Sequence, residues 1–229
     1  MDCKGVTSIV FGSFLLYVVN QRHFGANQGE RIDRFNAELK TWYEARPGSN
    51  RLPTIKISDI TKDGWATLHG PAIKSAMTKE AVPFFADFAN RFFSKERSVH
   101  EGLMIDLMRE LNDFDSVLEG QGTFVAPAAV RRLRQICERF GSIFMQLREQ
   151  ARTEERLAWQ VTLKVHKMQH LPIVAKLINP REISCYADES AIGSTTRVWK
   201  RSLAGRHHRV NQHNVLAKRV LGVLLRFEN

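Results

Sequence analysis

The sequence predicts a mainly α-helical protein, an irregular helical bundle followed by a basic and also helical C-terminal part. Three observations predict it. Apolar residues recur at helical spacing over most of the 229 residues, period-two alternation is confined to one short stretch, and Gly and Pro punctuate the breaks between periodic segments. A hydrophobic content of 43% suffices for one good core, or a core with a small lobe. The expected organisation is a helical bundle over 1–155, with a basic helical region over 156–229 packed on it.

The first element is an apolar helix over 6–23. Its apolar run, Thr7 to Val19, falls short of the roughly 20 residues that span a bilayer. A buried helix is expected. A signal or anchor is the alternative, since Lys4 precedes the run, although Asn20-Gln21-Arg22-His23 offers no small-residue cleavage site. The next segment, 28–45, places Ile32, Phe35, Leu39 and Trp42 on one stripe and stops at Arg46-Pro47-Gly48-Ser49. From Leu52 to Gly70 the pattern is irregular, and TIKISDI alternates well enough to suggest one strand. Helical spacing then returns. A short helix is expected over Pro71 to Thr78, and another over Lys79 to Phe93 with Val82, Phe85, Phe88 and Phe92 or Phe93 inward. A third is expected over Val99 to Leu118, closed by Gly120-Gln121-Gly122. A long helix from about Pro127 to Arg152 carries proline in its first turn and the stripe Val130, Leu133, Ile136, Phe140, Phe144 and Leu147.

Charge is unevenly spread. The net charge is +10, and 160–229 alone hold twelve Lys and Arg against four Asp and Glu. A localised basic excess of this kind suits a polyanion, because neutralised phosphates release their counterions. A solvated face is the plainer reading. Three dispersed cysteines, Cys3, Cys137 and Cys185, with no CxxC pair, argue against a disulfide framework and a thiolate zinc site. A reducing, intracellular setting follows, with the nucleus as an option.

Three stretches bear on chemistry. Residues 159–180, if helical, place Leu163, His166, Lys167 and His170 on one face, with the two imidazoles a turn apart. Such a pair can ligate a metal, but Lys167 beside it opposes a cation, and no metal site is expected. The second stretch is Asp188-Glu189-Ser190. It reads as a helix N-cap with an acid in the first turn, or as a metal-holding carboxylate at Glu189 that needs partners from among Asp59, Asp63, Asp87, Asp106, Asp113 and Asp115. The third is the basic run that continues into a last helix from Val210 to Phe227. Together with the first stretch it gives the candidate nucleic-acid contacts Lys164, Lys167, Arg197, Lys200, Arg201, Arg206, Arg209, Lys218 and Arg219. Trp199 sits among them as a core anchor or a base platform. His208, Asn211 and His213 crowd too closely for an HNH nuclease.

Three segments carry a resemblance: DGWATLHGPAIKSAMTKEAVPFFADFANRFF (63–93), AWQVTLKVHKMQHLP (158–172) and NPREISCYADESAIGSTTRVWKRSLAGR with VLAKRVLGVLLRFE (179–228). They resemble a highly repeated protein family of dinoflagellate genomes, from about residue 30 onward. That implies a mobile-element-like origin, as the C-terminal part of longer multi-copy proteins, and no particular activity. Residues 164–219 are also similar to the end of some DDE transposases, through KVHKMQHLP, an acid after an aromatic, VWKRS and NVLAKR. That similarity implies an acid completing a metal-binding triad on an RNase H-like fold, at Glu189 here, with Mg2+ as the cofactor. The strand-borne aspartates that should precede it are not recognisable.

The expectation is therefore a sequence-tolerant nucleic-acid-binding protein with no cofactor and no membrane span. One alternative is a remnant of a metal-dependent transposase or nuclease using Glu189. Another is a non-catalytic helical interaction module, which would leave the apolar residues 6–19 exposed.

Overall fold

The computed structural model describes residues 4–46 and 50–181. Within them the protein is mainly helical: α1 (Lys4–Asn20), α2 (Gln28–Glu44), α3 (Ser75–Glu80), α4 (Val82–Phe92), α5 (Val99–Glu119), α6 (Pro127–Thr153), α7 (Leu163–Met168) and α8 (Leu171–Val174). A two-stranded antiparallel hairpin, β1 (Thr61–Lys62) with β2 (Trp65–Ala66), interrupts the helices. The capped helix expected at Asp188 and the last helix from Val210 lie outside the described residues.

Helix α1 is apolar on every face, and that places it at the centre, since a helix with no polar stripe has no side to give to water. Val10, Phe11, Phe14, Leu15 and Val18 are fully buried. The interaction-module expectation of an exposed patch over residues 6–19 is thereby corrected: the same side chains form the core. No helix among the described residues is long and apolar enough to cross a membrane. Around α1, aromatic side chains form the seam with α2 and α4. Phe11 stacks on Phe85 with centroids 3.6 Å apart, and Phe35 packs against Phe84, Phe85 and Phe88. Helix α1 ends where Arg31 of α2, itself buried, donates to the carbonyls of Val19, Gly25 and Ala26 at 2.7–3.0 Å.

Helices α5 and α6 pair along the stripes expected of them, with Leu107, Met108 and Leu111 facing Leu133, Phe140 and Phe144 in one continuous core. Cys137 is buried in that seam, and burial pushes its thiol up to about 12, so it acts as an apolar core residue.

Three expectations require correction. TIKISDI is not a strand. Ile57–Asp59 form a 3-10 turn, because the Asp59 carboxylate accepts the Lys56 N–H at 2.9 Å and diverts the backbone from ladder pairing. The helix expected over Lys79 to Phe93 starts at Val82, since Pro83 has no N–H for the carbonyl of Lys79 and forces a break between α3 and α4. Residues 159–180 are not one helix. Trp159 adopts φ 55° and Pro172 stands at the start of α8, so the segment divides into two short helices around a turn. Its buried residues, Trp159, Val165, Met168, Leu171 and Ala175, belong to the same core as the bundle.

Candidate nucleic-acid interface

The stretch 156–181 contains Arg156, Lys164, Lys167, Lys176 and Arg181 and no Asp or Glu. Helix α7 turns Val165 and Met168 inward and leaves Lys164, His166 and Lys167 outside. Elsewhere on the bundle several bases are answered by acids, Arg91 by Glu38 and Asp87, Lys95 by Asp106, Arg132 by Asp113 and Arg139 by Glu110, while others, Arg131, Arg134 and Arg148 of α6 among them, have no ion-pair partner among the described residues. In the acid-free stretch Arg156 pairs with Glu154, and Arg181 with Glu119 at 3.3 Å. Lys167 and Lys176 have no ion-pair partner among the described residues.

Lys164 is placed by a glycine. It runs across α1 at Gly5, where a Cβ would stand 2.0 Å from the Lys164 Cδ. Beside it opens a hollow of mixed polar and apolar lining, about 810 Å3, whose lining includes Lys62, Asp63, Trp65, His69, Gln160 and Lys164. The hairpin builds the opposite wall. Asp63 and Gly64 take φ of 51° and 81°, the left-handed pair that a tight two-residue turn demands, and Lys62 pairs with Trp65 across the ladder. Ala66 N–H then donates to the Leu157 carbonyl at 2.8 Å, tying the hairpin to the chain that leads into α7. The His69 ring is fixed as well. Its Nε2 lies 2.7 Å from the Thr61 carbonyl, which can only accept, so Nε2 carries a proton and donates it there. Two hydroxyls lining the hollow, Ser8 Oγ and Thr162 Oγ1, are buried without a hydrogen-bond partner among the described residues. Buried polar atoms ordinarily find a partner, so these two oxygens lie unsatisfied just beneath the surface of the hollow.

His166 and His170 do meet as their spacing predicts, with Nε2 atoms 3.1 Å apart, one ring donating and the other accepting. Among the described residues no group of three His, Cys, Asp or Glu is arranged to hold a metal ion. Four of the six acids considered as partners for Glu189 are committed elsewhere, Asp59 to the Lys56 N–H, and Asp87, Asp106 and Asp113 to the bases named above, whereas Asp63 and Asp115 line the two cavities. Of the expected contacts, Lys164 and Lys167 stand together on α7. Glu189, Arg197, Lys200, Arg201, Arg206, Arg209, Lys218 and Arg219 lie outside the described residues. Lys62, Trp65 and His69 went unread in the sequence, although Asp63-Gly64 is a hairpin signal that would have placed them.

Among the described residues Asp115 is the carboxylate with the largest shift in protonation. Burial raises it from 3.8 to about 6, against the opposing pull of Lys79 and Arg181 and with a smaller push from Glu119. The folded chain therefore holds this proton more tightly than the unfolded chain. The associated stability is complete below the unfolded value and is lost as pH rises through about 6. Asp115→Asn should accordingly stabilise the protein by about 1–2 kcal/mol at pH 7.5, with the gain vanishing toward pH 4. Thermal melts of both proteins across that range check it.

Comparison with known proteins finds no matching family model, no matching curated protein and no matching solved structure.

Proposed function

We propose that the protein binds nucleic acid in a sequence-tolerant manner, through phosphate contacts by its basic C-terminal third, with a single-stranded segment entering the hollow beside Lys164. A mobile-element-like origin and an intracellular, nuclear location belong to the same reading. The observation that carries it is the convergence of Lys62, Lys164 and Trp65 on one hollow, in which Asp63 is the one acid, at the edge of a stretch, 156–181, that holds five bases and no acid. Lysines track a phosphate backbone, and an indole offers its face to any base, so the combination gives affinity without readout of base edges. Lys167 extends the positive edge along α7.

Filter binding of oligonucleotides of unrelated sequence tests this. Affinities should agree within a few fold among sequences and fall with salt at a log-log slope of about −0.7 for each single-strand phosphate neutralised. Lys62→Ala should shallow that slope by about one such increment. Trp65→Ala should weaken single-stranded DNA by about 1–3 kcal/mol and duplex DNA far less, because only an unpaired base can stack. A salt-independent signal would end the proposal.

A further inference from the structure

Lys164 also lines a second cavity of different chemistry, about 250 Å3 in volume and enclosed by α1, α3, α5, α7 and α8. Its walls are Val6, Leu111, Phe114, Met168 and Leu171. Each is buried, and each comes from an element whose remaining apolar face is already spent on the core. The rim is cationic: Lys79 of α3 with Lys164 and Lys167 of α7, set against Asp115.

We propose that this cavity binds a small amphipathic organic anion, a single aliphatic chain ending in a carboxylate, with the chain inside and the head group among Lys79, Lys164 and Lys167. Apart from Thr7, whose hydroxyl is bonded to Thr78, the walls are apolar and hold water poorly. At roughly 30 Å3 for each water-sized group, the volume admits about eight such groups, the body of a chain of about eight to ten carbons. The head is chosen by charge. Lys164 apart, Lys79 and Lys167 against Asp115 leave the rim with a net positive charge even when Asp115 is ionised, so an anionic head group is favoured over a neutral one and a cationic amphiphile is repelled. A sugar-phosphate backbone suits the hollow lined by Lys62 and Trp65 and not these apolar walls, so this site shares Lys164 and Lys167 with the nucleic-acid reading but does not depend on it.

Isothermal titration of the full chain at pH 7.5 tests the assignment, with decanoate below its micellar concentration, 1-decanol and decyltrimethylammonium as probes. Decanoate should bind with one-to-one stoichiometry, about ten-fold or more tighter than decanol, and the cation should not bind. Lys79→Ala, a substitution at a half-exposed helix position, should weaken decanoate about ten-fold and leave decanol unchanged. Because Lys79 lies outside the phosphate contacts, the same variant should retain oligonucleotides as the parent does. Val6→Phe, which fills the cavity from its wall, should abolish decanoate binding while preserving the helical circular dichroism. If it does not fold, the head-group series and Lys79→Ala decide alone. Equal affinity for decanoate and decanol, unchanged decanoate affinity in Lys79→Ala, or no decanoate binding at millimolar concentration would each overturn the proposal.

Discussion

Glu101→Ala should destabilise the protein by about 3–5 kcal/mol, the range found when one member of a buried charged network is removed. Glu101 is fully buried at the start of α5. Its Oε1 accepts the Tyr17 hydroxyl at 3.1 Å and faces the Arg97 guanidinium at 3.5 Å, and its Oε2 accepts the Ser94 N–H at 2.7 Å. Those three bonds tie the centre of the core to the loop between α4 and α5. Truncation leaves a phenol and a backbone amide without acceptors inside the protein, each costing about 1–3 kcal/mol. Tyr17 does not relieve the loss by ionising, because burial, the first cause that holds its hydroxyl well above the usual phenol range, remains when the carboxylate is gone. His23 is no substitute either: burial and the Arg97 cation lower its pKa, and its Nε2 already accepts from Arg97 at 2.9 Å. Glu101→Gln retains one carbonyl acceptor and should cost about half as much. Urea denaturation of the three proteins checks the order, and a loss below about 1 kcal/mol for the alanine variant would mean that the network is not what holds the loop.

What the sequence discloses here depends on how local the cause is. Helices α2, α5 and α6 are legible because their stripes are amphipathic and their ends are marked, by Asn27 and Ser98 as caps and by Pro127 in the first turn. Helix α1 is legible in the opposite way, through the lack of any polar face. SVHE at residues 98–101 has the spacing of a capping box, yet Glu101 leaves its cap to serve Tyr17 and Ser94, a choice made by tertiary packing and invisible in the spacing. TIKISDI misleads because one carboxylate, Asp59, outbids the ladder. The candidate site was half legible. Lys164 and Lys167 stand out as charge, whereas the hollow beside Lys164 is assembled from α1, the hairpin and the chain before α7, whose positions relative to one another no local pattern encodes. The apolar cavity is harder still, since Val6, Leu111 and Met168 each read as ordinary core.

The approach of that hairpin to α1 gives the other large effect. Gly12→Ala should destabilise the protein by about 3 kcal/mol, although alanine is the better helix former by about 1 kcal/mol. An added Cβ would meet the Thr67 N and Cα at 2.4 Å and the Leu68 N at 2.6 Å. None of these atoms is free to retreat. Thr67 N–H is bonded to the Ile60 carbonyl at 2.8 Å and Leu68 N–H to the Ser8 carbonyl of α1 at 2.8 Å, so a shift large enough to admit a methyl group breaks one or both. The loss of a buried backbone bond and the strain of overpacking then exceed the gain in propensity. Gly141→Ala is the matched control. There the nearest atom to an added Cβ is the Gln169 Nε2 at 2.3 Å, the far end of a flexible side chain, which can swing aside. That variant should lie within about 1 kcal/mol of the parent, on either side. Since Thr67 lines the hollow, the alanine at position 12 should also weaken oligonucleotide binding, whereas the one at 141 should not. Equal stability of the two variants in parallel melts would show that the hairpin is not braced against the central helix.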